Sequence, residues 1–162
     1  MENMNELITA IEAMDPEILG IAVLTVAGIF AVMAAYTIIR YLLTSIGYSK
    51  MYRKAGIDGW KAFIPVYNTF HNYKLAWSGK FFFLYAALHI LFTAMNNGTE
   101  FAVQLAALAA GIALIVVDAK QNIRMAKLFG KGAGTGIALM FFPGITSLIL
   151  GLGKAEFMAI EK

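Results

Sequence analysis

Residues 18–39 read ILGIAVLTVAGIFAVMAAYTII, 22 consecutive residues without a charge. As an α-helix this run reaches about 33 Å, enough to cross a hydrocarbon core of about 30 Å. In front of it, Asp15-Pro16-Glu17 has the form of a helix start: a carboxylate to cap the first amides, proline at the first helical position, and an acid in the first turn. A secretory leader begins with basic residues, whereas Met1 to Glu17 holds five acids (Glu2, Glu6, Glu12, Asp15, Glu17) and no base, so the run is expected to stay as an anchor.

Outward from it, the uncharged runs Phe81–Asn97, Phe101–Val117 and Thr135–Gly153 are each 17 to 19 residues long, near the lower limit for a span. The whole chain is 60% hydrophobic and 14% charged, with a mean hydropathy of +0.70. Soluble domains carry roughly 25% charged residues, and disordered chains are apolar-poor, so both classes are excluded. No cysteine is present, which removes disulfides, thiolate metal sites and thiol nucleophiles. The apolar runs are continuous and do not alternate with period two, which argues against a β-barrel. The expected fold is all-α: a polytopic membrane helical bundle with about four transmembrane helices and a cytoplasmic amphipathic or re-entrant helix.

Charge placement sets the expected orientation. Eleven of the thirteen basic residues lie in segments 40–80 and 118–134, which four spans put on one side. The positive-inside rule makes that side the cytoplasm, in a multi-pass protein of the cell membrane with N-terminus and C-terminus extracytoplasmic. One integral membrane domain over residues 1–162 follows. Its expected parts are an acidic amphipathic tail at 1–15, a first span with a cytoplasmic extension at 16–55, an interfacial or re-entrant segment at 57–76, spans at 80–97 and 100–129 (the latter again extended), and a fourth span at 135–153. Gly56 and Gly130 are placed to end the two extended helices. In the tail, Met4, Leu7, Ile8, Ile11 and Met14 form an apolar helical stripe.

Segment 57–76 carries Trp60, Phe63, Ile64 and Tyr67 at helical spacing, with Pro65 placed to break the helix in its middle. Trp60, Lys61, Tyr67 and Lys74 suit the level of anionic headgroups at the cytoplasmic face, as do Lys127 and Lys131 further on. The alternatives are a protein-docking surface and a re-entrant half-helix, the latter tolerated only against protein or water and so implying a cavity. Inside the bundle, His89 and Gln104 lie on either side of the turn at residues 97–100, and a hydrogen bond or a polar path between their helices is the expectation. Lys120, Arg124 and Lys127 share one helix face and read as a solvated or headgroup-facing stripe, with a substrate-anion site as the alternative.

The string Met51-Tyr52-Arg53-Lys54-Ala55-Gly56-Ile57-Asp58-Gly59-Trp60 continues as Lys61-Ala62-Phe63-Ile64-Pro65-Val66-Tyr67-Asn68-Thr69. It resembles the hallmark of an uncharacterised prokaryotic membrane-protein family with the pattern Lys-Ala-Gly, Gly-Trp, Ile-Pro, Tyr-Asn. Ala126 to Gly132 and Leu150 to Phe157 are similar to that family's second signature and tail, so the resemblance covers about residues 48–158. Asp58 stands where proline is frequent. Members are often labelled signal peptidase I, and the resemblance implies no molecular activity for the module.

Catalytic and binding motifs fail on spacing. Signal-peptidase chemistry needs a serine and a lysine in an extracytoplasmic domain, while Ser45, Ser49 and Ser78 fall in the cytoplasmic segment. Gly130 to Gly136 matches neither the phosphate loop nor the dinucleotide fingerprint. His71 and His89 lie far apart, so no metal site is expected, and no cofactor is. The membrane accounts for the basic residues without nucleic acid. Stripes of small residues at Ala27, Ala31, Ala35 and at Ala102, Ala106, Ala110 suit close helix contact. The expected function is a non-enzymatic integral membrane protein, an oligomeric assembly or scaffold module of the cell envelope. Its expected partners are the lipid bilayer, copies of itself and an envelope protein. The alternative is an oligomeric channel or small-solute transporter.

Overall fold

The computed structural model of the chain describes residues 4–6, 9, 13 and 15–158. Most of the amphipathic stripe expected in the tail, and the last four residues, lie outside that set. Among residues 15–158 six helices follow one another: α1 (Pro16–Lys54), α2 (Pro65–Ala76), α3 (Gly79–Met95), α4 (Phe101–Leu128), α5 (Ala133–Phe141) and α6 (Pro143–Leu152). A 3-10 turn, Gly59–Phe63, precedes α2. No strand occurs among the described residues. Two helices, α1 and α4, are long and apolar enough to cross a membrane.

By residue contacts the chain forms two units, 1–40 and 41–162. In the first, α1 begins where the Glu17 amide donates to Asp15 Oδ1 at 2.8 Å, with Pro16 at the first helical position. Its apolar residues are exposed all round, Leu24 at 74%, Phe30 at 68% and Val32 at 70%. Water would not tolerate such a helix, whereas hydrocarbon does.

The second unit is folded around its basic end. Tyr48, Met51 and Tyr52 of α1 pack with Met125, Ala126 and Leu128 of α4, with Phe129 just past its end, and with Leu139 and Leu150. Buried beside them are Ser45, Ser49, His71, Gln121, Asn122, Thr146 and Ser147, while Ile90, Leu105, Ile112 and Ile115 stay exposed. This inverts the distribution of a soluble domain, in which large aliphatic residues fill the interior. Both long helices end in the same way. After Lys54, Gly56 takes φ 72° while Ile57 N–H donates to Tyr52 O and Gly56 N–H to Arg53 O. After Leu128, Gly130 takes φ 67° while Lys131 N–H donates to Ala126 O and Gly130 N–H to Lys127 O. These are Schellman caps, and the left-handed residue is glycine in both because a side chain there is strained.

Pro65 does not kink a helix; it starts one. Ile64 is extended (φ −104°, ψ 113°) and Pro65 occupies the first position of α2, where its missing N–H costs nothing. Gly59 packs on Ser49 and Arg53, the Phe63 carbonyl accepts from Tyr41 Oη, and Asn68 and Asn72 meet Tyr52. Residues 57–76 therefore run back along α1 as far as Tyr41, reverse at Ile64-Pro65, and return.

The stretch expected as a single fourth span, 135–153, is instead two helices of nine and ten residues broken at Phe142 (φ −126°, ψ 56°). Pro143 is the cause: it cannot donate to the preceding turn, and it disfavours helical backbone at the residue before it. Each piece reaches only about 15 Å, half of a hydrocarbon core. Gly136 of α5 lies directly on the Ile123 backbone of α4. Gly47 of α1 faces Ser147 of α6, and Lys50 and Met51 face Gly151, so α6 runs parallel to the end of α1. The Lys54 ammonium then donates to the carbonyls of Leu150, Gly153 and Ala155 at 2.7–2.8 Å. Helices α5 and α6 thus form a hairpin that begins and ends at the basic end. Gly153 and Ala155 therefore lie beside Lys54.

Candidate functional site

All six helices contribute to a cavity of about 200 Å³ inside the second unit. Tyr48 comes from α1, Asn72 and Tyr73 from α2, Tyr85 from α3, and Leu139 and Pro143 from α5 and α6. Helix α4 supplies Asp118, Gln121 and Asn122, spaced by three and four residues and therefore on one face. Asp118 is the first residue past the uncharged run 101–117, and is the one charged side chain lining the cavity.

Several of these polar groups are satisfied by protein. Tyr52 Oη lies 2.6 Å from Asn68 Oδ1, 2.7 Å from Asn72 Oδ1 and 2.8 Å from Asn68 O, and Asn72 Nδ2 donates to Asn68 Oδ1 at 3.3 Å. Asn122 Nδ2 donates to the Asp118 main-chain carbonyl at 3.0 Å. Two groups at the cavity are not satisfied: Tyr73 Oη and Gln121 Nε2, on residues only 2% and 3% exposed, have no hydrogen-bond partner in the protein. Buried polar atoms are paired in the great majority of cases, so two orphans beside one cavity call for a partner from outside the chain.

Next to this cavity, on the outer side of α2 and α3, is an apolar groove of about 680 Å³ lined by Val66, Phe82, His89 and Ile90; Thr69 and Tyr85 line both spaces. His89 is exposed there, beside the Tyr85 ring at 5.8 Å and the Thr93 hydroxyl at 3.5 Å. Gln104 is exposed near the far end of α4. Phe92 lies on Gly111 and Gly98 on Val103, a register that sets His89 level with Ile112–Leu114. The expected meeting of His89 with Gln104 does not occur, because the antiparallel pairing offsets them by more than two turns.

The residues expected at headgroup level are distributed along the basic end. Trp60 stacks on Tyr67 at 5.9 Å between ring centroids, Lys61 sits 6.0 Å over the Trp60 ring and pairs with Asp58 at 3.0 Å, and Lys74, Lys127 and Lys131 are exposed. Lys120, Arg124 and Lys127 share the exposed face of α4, with the Arg124 guanidinium 4.5 Å over Trp77. None of these lines the cavity. Gln121 and Asn122 had no part in the sequence reading, although with Asp118 they form a polar stripe on the opposite face of the same helix that could have been found by asking what faces away from the bases. Among the described residues, no three His, Asp or Glu side chains converge on a point that could hold a metal ion.

These features define a class: an all-helical chain with two helices of membrane-crossing length, folded at its basic end around a polar cavity. Residues 60–159 match the family described as a family of unknown function, DUF5684, and since the match takes in more than half of the chain, the protein belongs to that family. No curated protein and no solved structure matches the chain.

Proposed function

We propose that this chain is a polytopic protein of the cell membrane that binds a small polar solute in the Asp118 cavity, as part of a channel or transporter. Helices α1, α3 and α4 cross the bilayer, and segments 57–76 and 133–152 re-enter from the cytoplasmic side, the side of the basic residues. The N-terminus is then outside and residues 154–158 are inside. This three-crossing scheme replaces the four-crossing expectation, and the three carbonyls on Lys54 support it. Breaks in helices at membrane depth are accommodated where they are buried in protein or line a polar space, and paired half-helices recur where solutes bind. Here Ile64-Pro65 and Phe142-Pro143 are such breaks, and Pro143 lines the cavity.

The observation that carries the reading is the pair of buried, unpartnered groups, Tyr73 Oη and Gln121 Nε2, at one cavity. The chain has no cysteine, so single cysteines report access directly. Introduced at Tyr73, Asp118 and Gln121, they are expected to react with a small water-soluble methanethiosulfonate in membranes, while a cysteine at the exposed apolar Leu105 does not. Labelling at all three no faster than at Leu105 would overturn the proposal. A second reading, the envelope assembly module, is favoured by α1, whose residues 18–39 are apolar and exposed on every side. It predicts a homo-oligomer by native mass spectrometry from lipid nanodiscs that is lost when Ala27, Ala31 and Ala35 become leucine. A wild-type monomer refutes it.

A further inference from the structure

The cavity's lining points to the chemical class of its occupant, resting on the reading that a solute reaches it. The only charged group on the wall is a carboxylate, Asp118. No basic residue lines the cavity, and two at this end are engaged elsewhere: Arg124 lies on the Trp77 ring and Lys54 on three carbonyls. Three tyrosines, Tyr48, Tyr73 and Tyr85, make up much of the remaining wall, and the Tyr73 and Tyr85 rings stand 5.3 Å apart at 34°. Aromatic faces around one carboxylate attract a positive charge spread over a hydrocarbon surface, because the ring quadrupole and the full charge act together where water is scarce. Inorganic anions are disfavoured by Asp118, and a divalent metal lacks ligands. An uncharged solute would leave the carboxylate buried without a counter-charge.

The orphan groups narrow the class further. Gln121 Nε2 is a donor and needs an acceptor atom; the Tyr73 hydroxyl can serve as donor or acceptor. At about 200 Å³ the space is smaller than the 300–1,000 Å³ typical of drug-sized ligand pockets. We infer that the cavity binds a small organic ammonium bearing one oxygen acceptor, an amino-alcohol cation. Its nitrogen lies toward Asp118 and the tyrosine rings, and its oxygen accepts from Gln121.

The test uses the full chain in detergent, with choline and ethanolamine as cationic probes, 3,3-dimethylbutan-1-ol as the neutral isostere of choline, and sodium chloride alone as the inorganic cation. Calorimetric titration is expected to show a cationic probe binding about tenfold or more tighter than the isostere. Asp118→Asn should lower that affinity by a similar factor while leaving the fold intact by circular dichroism. Tyr73→Phe, which keeps the ring, should cost less than Tyr73→Leu. Equal binding of the neutral isostere, an unaffected Asp118→Asn variant, or a response to sodium alone would overturn the inference. So would no binding at all in protein whose 118 and 121 cysteines label, and in each of these cases the solute-cavity reading survives. If those cysteines stay unlabelled, both fall.

Discussion

Lys54 offers the most direct test of the packing at the basic end. Its ammonium donates to Leu150 O, Gly153 O and Ala155 O at 2.8, 2.7 and 2.8 Å, closing the free carbonyls at the C-terminus of α6. A hydrogen bond to a charged group is worth about 1.5–3 kcal/mol. The bond to Gly153 is exposed, and water replaces that partner once the amine is gone, so two bonds, about 3–6 kcal/mol, are at stake. Methionine has about the same side-chain entropy to lose as lysine, so that term cancels, and Lys54→Met, which keeps the apolar stem, is expected to destabilise by about 3–6 kcal/mol. Lys54→Arg should fall between the two, since a planar fork reaches two carbonyls but not three. Reversible SDS unfolding in mixed micelles, followed by tryptophan fluorescence, measures this against Lys120→Met, an exposed lysine on α4. A Lys54→Met loss equal to that of the Lys120 control would refute the reasoning, and with it the placement of the tail beside α1.

The same assay checks two other consequences. Gly130→Ala should cost about 1–2 kcal/mol because its φ of 67° strains any side chain, whereas Gly132→Ala, with open space around it, should be near neutral. Tyr52→Phe removes the hydroxyl shared by Asn68 and Asn72 and should cost about 1–3 kcal/mol; a change within experimental error means the amides pair equally well without it.

Helices are written in local terms, and those terms were readable. Asp15-Pro16 starts α1 and Gly56 and Gly130 end α1 and α4, because caps depend on a few adjacent residues and their φ angles. Run length and composition determined the apolar stretches, since hydropathy is additive along the chain. Run 135–153 was uncharged throughout and so looked like one helix; only the weight given to Pro143 could have divided it. The polar stripe at 118, 121 and 122 was equally visible, but the bases at 120, 124 and 127 on the same helix drew the reading to the other face.

By itself, then, the sequence determined an all-helical chain, its uncharged runs, its asymmetry of charge and the ends of its long helices, because each depends on neighbours within a turn or two. Tertiary structure decided the rest. The reversal of segment 57–76, the return of α6 beside α1, and the meeting of Tyr48, Tyr73, Tyr85 and Asp118 all join residues tens of positions apart. Such contacts are set by which small residue admits which backbone, as Gly47 admits Ser147 and Gly136 admits Ile123. They are also set by which buried polar group finds a partner, and neither condition is written in any one stretch of the chain.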